Sequence, residues 1–156
     1  MGTTLTEVTD LFLSAIYDYR LNAIYTNSGS LVFNTYIEPW LLKSIQDFSL
    51  CDQPLDYVVT SGSADGYFIQ TLTMQNQIIL SQYMELYWLQ KGIQDIRTMN
   101  NFVQDHDFKG WSPAQLLQAR QTNYNAKREE LSQRLVDYSY QKNDWNEWKN
   151  QIFDSP

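Results

Sequence analysis

Apolar residues recur at helical spacing along most of this chain, and the first such stretch begins at a capping-box motif. Thr4 and Glu7 stand three residues apart, so each side chain can bind an amide group that the start of a helix leaves unpaired. Steps of three and four residues then continue to about Ala23. This spacing places six residues on one stripe of the helix: Val8, Leu11, Phe12, Ala15, Ile16 and Tyr19. The polar cluster at residues 27–30 predicts the end of this pattern.

A second helix is predicted from about Leu31 to Phe48, and Pro39 lies inside it. Proline lacks an amide donor and clashes with the preceding turn, so we expect a kink there or two short helices that meet. Residues 49–72 change character, because two β-rich runs flank a stretch of Ser, Gly and Asp residues. This arrangement predicts a β-hairpin or an irregular flap between residues 55 and 72.

The third predicted helix begins at an N-cap residue, Thr73, and continues to Ile96. Apolar residues occupy most faces of this helix, which predicts either the centre of a bundle or a helix shared between subunits. Gly92 lies within it and indicates either close contact with another helix or a weak point.

The last predicted helix has the clearest start in the chain. Ser112 is a capping residue, Pro113 occupies the first helical position and Gln115 completes a capping box. Apolar residues follow at seven-residue steps, with one more between them: Leu117, Tyr124, Leu131, Leu135 and Tyr138. This spacing predicts a long helix that buries a narrow seam.

These elements predict a mainly α fold, a helical bundle with a long C-terminal helix and a small β-hairpin or flap insertion. We assign residues 1–140 to one helical bundle domain and residues 141–156 to an aromatic C-terminal tail. The tail carries four large apolar residues at helical spacing: Trp145, Trp148, Ile152 and Phe153. We interpret these as protein-binding residues of a docking segment. The alternative is a tail that folds back over its own bundle.

The composition changes this picture through its charge and its aromatic content. Only 19% of residues are charged, whereas 15% are aromatic. Tyr and Trp are enriched where protein meets protein, so the excess indicates interfaces, although an aromatic-rich core explains it equally well. The net charge of -7 leaves no basic face for phosphates, so neither nucleic-acid binding nor attachment to an anionic membrane is expected. No apolar run reaches the roughly 18 residues that a membrane span needs.

Two features bear on the compartment. The N-terminus lacks the basic and then apolar pattern of a secretory signal, so we expect synthesis in a cytoplasm. Cys51 is the single cysteine and cannot form an internal disulfide, which agrees with a reducing compartment.

Candidate chemistry is sparse. His106 lies between two aspartates, but no second histidine or cysteine pair accompanies it, so a polar turn explains the triplet better than a metal site or a general base. Cys51 is interpreted as a structural thiol, and Glu129 and Glu130 as solvated charges beside Lys127 and Arg128. The glycines near residue 62 lack the Gly-Lys-Ser/Thr ending of a phosphate loop. We therefore expect no catalytic, cofactor-binding or metal-binding residues, and no enzyme.

The order of features from Tyr87 onward is distinctive. Trp88-Leu89 stands near the end of an apolar helix, and the run Asp107-Phe108-Lys109-Gly110-Trp111-Ser112-Pro113-Ala114-Gln115 follows a polar link. A charged helix then leads to Tyr138-Ser139-Tyr140, and Tyr36-Ile37-Glu38-Pro39 and residues 68–73 add weaker similarity. This order resembles small virion proteins that are encoded beside portal and capsid genes in phages of Gram-positive bacteria.

The resemblance implies a head-tail connector, or neck adaptor, of the virion. Such a protein binds the portal protein and other neck or tail proteins, and forms a closed ring of roughly twelve identical copies. DNA passes through the ring without specific binding, and no catalytic residues are implied. Three alternatives stay open: a tail-completion protein, a small regulatory protein-binding module and an unrecognised hydrolase.

Overall fold

One helix lies at the centre of the fold and three others pack around it. The structure is a computed structural model that describes residues 2–16, 19–59, 66–103 and 113–142. Helix α3 (Met74–Val103) contacts each of its neighbours, α1 (Leu5–Ala15), α2 (Tyr19–Asp47) and α4 (Pro113–Lys142). The predicted mainly α fold, with a central third helix and a long C-terminal helix, is confirmed.

Helix α3 begins where the sequence predicts. The hydroxyl oxygen of Thr73 accepts a hydrogen bond from the backbone N–H of Asn76 at 3.3 Å, which is N-cap geometry. Apolar side chains from several faces of the helix are buried: Ile79, Leu80, Met84, Leu86, Leu89 and Ile93. A helix this apolar needs neighbours on more than one side, and the fold provides three.

The first helix is shorter than predicted. Its capping box is present, since Thr4 and Glu7 exchange side-chain to backbone hydrogen bonds of 3.1 and 3.2 Å. The helix nevertheless ends at Ala15, because Ile16 has extended backbone angles, so the predicted end at Ala23 was wrong. Apolar spacing continues on both sides of this break, and periodicity alone therefore cannot reveal it.

Helix α2 also differs from the prediction. It includes residues 27–30, which were expected to break the pattern, and it continues through Pro39 to Asp47 without dividing into two helices. Its buried side chains keep helical spacing on both sides of the proline: Leu21, Phe33, Ile37, Leu41 and Ser44. Packing of this stripe against α3 overrides the weak helical propensity of the polar cluster and the missing amide donor of the proline.

The predicted hairpin is present as strands β1 (Tyr57–Val58) and β2 (Tyr67–Phe68), which pair antiparallel. The N-terminal residues add a third extended segment beside β2, which the sequence did not predict. The backbone N–H of Phe68 donates to the Thr3 carbonyl at 2.8 Å, and the N–H of Leu5 donates to the Gly66 carbonyl at 2.8 Å. A side chain at position 66 would collide with β1 and α1, so this close approach requires glycine.

Helix α4 runs antiparallel to α3 and packs mainly against it. Two hydrogen bonds show the direction. Gln82 donates to Glu130 at 3.4 Å, and Gln75, about two turns earlier on α3, donates to Gln141, which lies later on α4, at 3.1 Å. The predicted seam is confirmed, because Leu131 and Tyr138 are buried and the other seam residues are half-buried. The guanidinium group of Arg120 occupies the space beside Gly92 that a side chain there would need. The neighbour is the end of a flexible side chain and not the backbone of α4, so the prediction of a close helix contact at Gly92 stays a prediction.

Several predictions fall outside the described residues. They concern His106, Ser112 and the four large apolar residues of the tail, Trp145, Trp148, Ile152 and Phe153. Helix α4 continues to Lys142, two residues beyond the predicted domain boundary.

Candidate assembly surface

A buried tyrosine joins the end of α4 to the loop that follows α2. The Tyr138 hydroxyl lies 2.6 Å from Oδ1 of Asp52 and 2.7 Å from Oδ1 of Asn76, either of which can accept its proton. The same hydroxyl oxygen accepts a hydrogen bond of 3.0 Å from the backbone N–H of Asp52. The Tyr138 ring packs against Phe48 with ring centroids 5.5 Å apart. Both ends of this side chain are therefore held.

Asn76, which is fully buried, extends the network from α3 to the loop. Its Nδ2 donates to Asp52 Oδ1 at 2.9 Å and to Gln53 Oε1 at 2.7 Å. Gln53 in turn accepts from the backbone N–H of Thr73 at 2.8 Å and donates to the Thr71 carbonyl at 3.1 Å. These bonds connect the loop after α2, the segment that leads into α3, and α4.

The environment of Tyr138 favours its neutral form. Burial raises the pKa of the phenol above its ordinary value, and the adjacent Cys51 raises it further, while a hydrogen bond to Asn76 acts in the opposite direction. Cys51, half-buried in this loop, thus contacts a structural tyrosine. A neutral, buried phenol that is fully hydrogen-bonded suits a packing role.

The same end of the bundle exposes large apolar side chains. Of the eleven such exposed residues in the described part of the chain, eight lie within residues 50–74 or 136–140. We call these eight the apolar end: Leu50, Tyr57, Val59, Tyr67, Ile69, Met74, Val136 and Tyr140. The network around Tyr138 brings their segments to one end of the fold. Exposed apolar side chains on neighbouring segments make this end a candidate interaction surface.

The hairpin holds its part of the apolar end in a fixed orientation. Phe68 is completely buried and anchors β2 in the core, while its neighbours Tyr67 and Ile69 are 41% and 61% exposed. The strand alternation thus turns one side chain inward and the flanking two outward. On β1, Tyr57 stands opposite Phe68 and remains 37% exposed. Because the anchor is buried, the outward side chains do not depend on a partner for their placement.

Two further polar clusters connect pairs of helices. Tyr83 and Tyr87 of α3 both bind Asp47 of α2, and Lys43 stacks 4.1 Å from the centre of the Tyr87 ring. Burial raises the pKa of Tyr83, and the Asp47 charge raises it further.

The second cluster joins α3 to α4. Lys127 Nζ lies 3.4 Å from Oε1 of the buried Glu85 and 3.5 Å from Oε2 of Glu130. Burial lowers the pKa of Lys127, but the two carboxylates more than offset it, so the pKa is raised. The interhelical ion pair is therefore Lys127–Glu85, and Glu130 joins it through a pair with Lys127 inside α4. Glu129 and Glu130 are both exposed.

The sequence contained only a partial signal for this site. Asn76 interrupts an otherwise apolar stripe of α3, which can indicate a buried polar partner, but its partners Asp52 and Tyr138 lie 24 and 62 residues away. The outward orientation of Tyr67 and Ile69 depends on which hairpin face is buried. Periodicity over two short strands could not determine that face.

Within the described ranges, no group of three His, Cys, Asp or Glu side chains could hold a metal ion. No helix there combines the length and the apolar composition that crossing a membrane requires. No protein-family model, curated protein or solved structure matches the chain.

Proposed function

We propose that this chain is a structural component of a phage virion, a head-tail connector that binds the portal protein and forms part of the neck channel. The observation that carries the proposal is the apolar end, a set of exposed aromatic and aliphatic side chains on segments that the hydrogen bonds around Tyr138 join. The resemblance of residues 87–140 to small neck proteins supplies the class of assembly.

The chemistry of the apolar end suits a protein partner. Three of its eight side chains are tyrosines: Tyr57, Tyr67 and Tyr140. Tyrosine combines a large apolar ring with a hydroxyl group, and it is enriched among the side chains that dominate binding energy at interfaces. A surface held in place by a buried network loses little conformational freedom when a partner binds. The apolar end is therefore prepared for association.

The net charge is compatible with a channel. Lys and Arg number 11 against 18 Asp and Glu, so a ring of many copies would be strongly acidic. An acidic wall does not form the ion pairs with phosphates that would retard DNA in the channel. The predicted binding partners are all proteins: the portal, other neck or tail proteins and a second copy of this chain.

The proposal is tested by mixing the purified chain with the portal protein encoded in the same genome. Sedimentation velocity and negative-stain images of each protein alone and of the mixture would be compared. A connector gives rings on the portal or a portal complex with several copies of this chain per portal ring. A chain that stays separate from the portal but joins a purified tail-tube protein would contradict the connector role and support tail completion.

A small regulatory module is the second candidate, because the same apolar end could capture a single protein. It predicts a monomer in sedimentation and a complex of one copy with one partner. The number of copies per partner therefore separates the two functions, since a connector must repeat around a symmetric ring.

A further inference from the structure

Strand β1 is the open edge of the small sheet. Strand β2 is paired on both sides, with β1 on one side and the N-terminal residues Thr3 and Leu5 on the other. Within the described residues, β2 is the only element that packs substantially against β1. Asp56, Tyr57 and Val59 are exposed along it. An open edge of this kind is a template on which another strand can pair.

The hydrogen bonds of the hairpin determine which backbone groups face the open edge. The N–H of Ile69 donates to the Asp56 carbonyl at 2.9 Å, and Tyr57 stands opposite Phe68 in the register. In an antiparallel pair, hydrogen-bonded and non-bonded positions alternate, so the backbone N–H and C=O of Tyr57 point away from β2. Tyr57 therefore presents one donor and one acceptor to the open edge, as the addition of a strand requires.

The open edge is also acidic. The exposed Asp56 directly precedes Tyr57. Between Lys43 and Lys91 the sequence contains Asp and Glu residues but no Lys, Arg or His. Among the side chains that the structure describes, no cation forms a salt bridge with Asp56. Opposite charges on cross-strand neighbours stabilise strand pairing, and like charges oppose it. The edge therefore favours a strand that carries Lys or Arg opposite Asp56.

The side chain of Tyr57 defines the neighbouring position of such a strand. Tyr57 lies on the same face of the sheet as the buried Phe68, and it is 37% exposed. Aromatic and β-branched residues form favourable cross-strand pairs. Successive side chains of a strand point to opposite faces. A well-matched strand therefore places a β-branched residue opposite Tyr57 and its basic residue next to it, opposite Asp56.

We propose that the apolar end captures an extended, basic segment of its protein partner, which pairs with β1 as an added antiparallel strand. The inference rests on the proposed function, because it names how the apolar end binds a neck protein. Antiparallel pairing continues the existing sheet and is the more stable arrangement per residue. A second copy of this edge is a poorer occupant, since two such edges would bring like charges together.

Synthetic peptides test the added strand without the portal. The probe is a short capped peptide of alternating valine and lysine, which pairs with valine opposite Tyr57 and lysine opposite Asp56. Calorimetry should detect its binding to the full chain. Methyl groups on the valine amides block the hydrogen bonds to Tyr57 and should weaken binding at least about tenfold. Methyl groups on the lysine amides point away from β1 and should change the affinity by less than about twofold.

Charge reversal on the protein tests the requirement for a basic residue. Asp56→Lys should weaken binding of the valine–lysine peptide by about two- to thirtyfold, because a cross-strand repulsion replaces an attraction. Glu129→Lys is the matched control, since it makes the same change in net charge at an exposed position of α4 outside the apolar end. It should alter the affinity by less than about twofold, because salt screens distant charges. Circular dichroism melts check that both variants are folded.

Three results would overturn the inference: no peptide binding to the folded chain, equal binding of the two methylated peptides, or equal losses in Asp56→Lys and Glu129→Lys. The second would show that side chains alone make the contact, and the third that the peptide follows the overall negative charge. The fate of the connector proposal is read separately, from binding of the unmodified chain to the portal. A chain that binds the peptide on β1 but not the portal keeps its strand-pairing site and loses the connector role.

Discussion

Helices α3 and α4 have the same length, 30 residues, but opposite surroundings. Helix α3 is enclosed by three helices, and Ile79, Leu80 and Met84 are completely buried. Helix α4 packs mainly on α3 and leaves Val136 and Tyr140 about half exposed. The difference separates two tasks in this small protein. Helix α3 organises the fold, while α4 completes one side of it and presents an outer face.

The largest effect is expected from the centre of α3. Leu80→Ala should lower the free energy of unfolding by about 2–5 kcal/mol, because it removes fully buried methyl groups and leaves a cavity. The matched change on the outer face of α4, Val136→Ala, should alter it by less than about 0.5 kcal/mol. Urea unfolding followed by circular dichroism measures both. Equal losses would mean that α4 is as deeply embedded as α3.

A smaller effect is expected where the two helices meet the loop after α2. Tyr138→Phe deletes one hydroxyl group and leaves Asn76 Oδ1 and the Asp52 amide without that partner, at a cost of about 1–3 kcal/mol. The same urea titration at neutral pH measures this loss. Tyr140→Phe is the matched control, because Tyr140 is 56% exposed and its hydroxyl can bind water.

Tyr138 should also make the stability of the unmodified chain depend on pH, and Tyr138→Phe should remove this dependence. The folded state holds the pKa of Tyr138 above the ordinary value of about 10, so this contribution to stability is intact below pH 10 and is lost as the pH rises above it. Unfolding free energies at pH 8 to 11 should therefore fall more steeply for the unmodified chain than for Tyr138→Phe. Identical slopes would contradict the burial of a neutral phenol.

The contrast between the helices also explains what the sequence could predict. The start of α3 and the seam of α4 follow from local capping and apolar spacing, and both were predicted correctly. The predicted end of α3 at Ile96 was wrong, because the helix continues for seven more residues to Val103, beyond Ile93, the last buried apolar residue among those that the structure describes. The break at Ile16 and the continuity of α2 through Pro39 were not predicted either, because they depend on how the helices pack against α3. The network of Asp52, Asn76 and Tyr138 joins residues up to 86 positions apart, which local spacing does not encode.

The central claim, that the apolar end is the assembly surface, is tested most directly by a pair of exposed double substitutions. Ile69→Ser/Met74→Ser changes the apolar end, and Val32→Ser/Tyr36→Ser changes exposed apolar residues on α2. Both variants should melt within a few degrees of the unmodified chain, since exposed positions contribute little to stability. Sedimentation with the portal protein is the measurement: the first variant should lose binding and the second should keep it. Equal binding by both would contradict the claim.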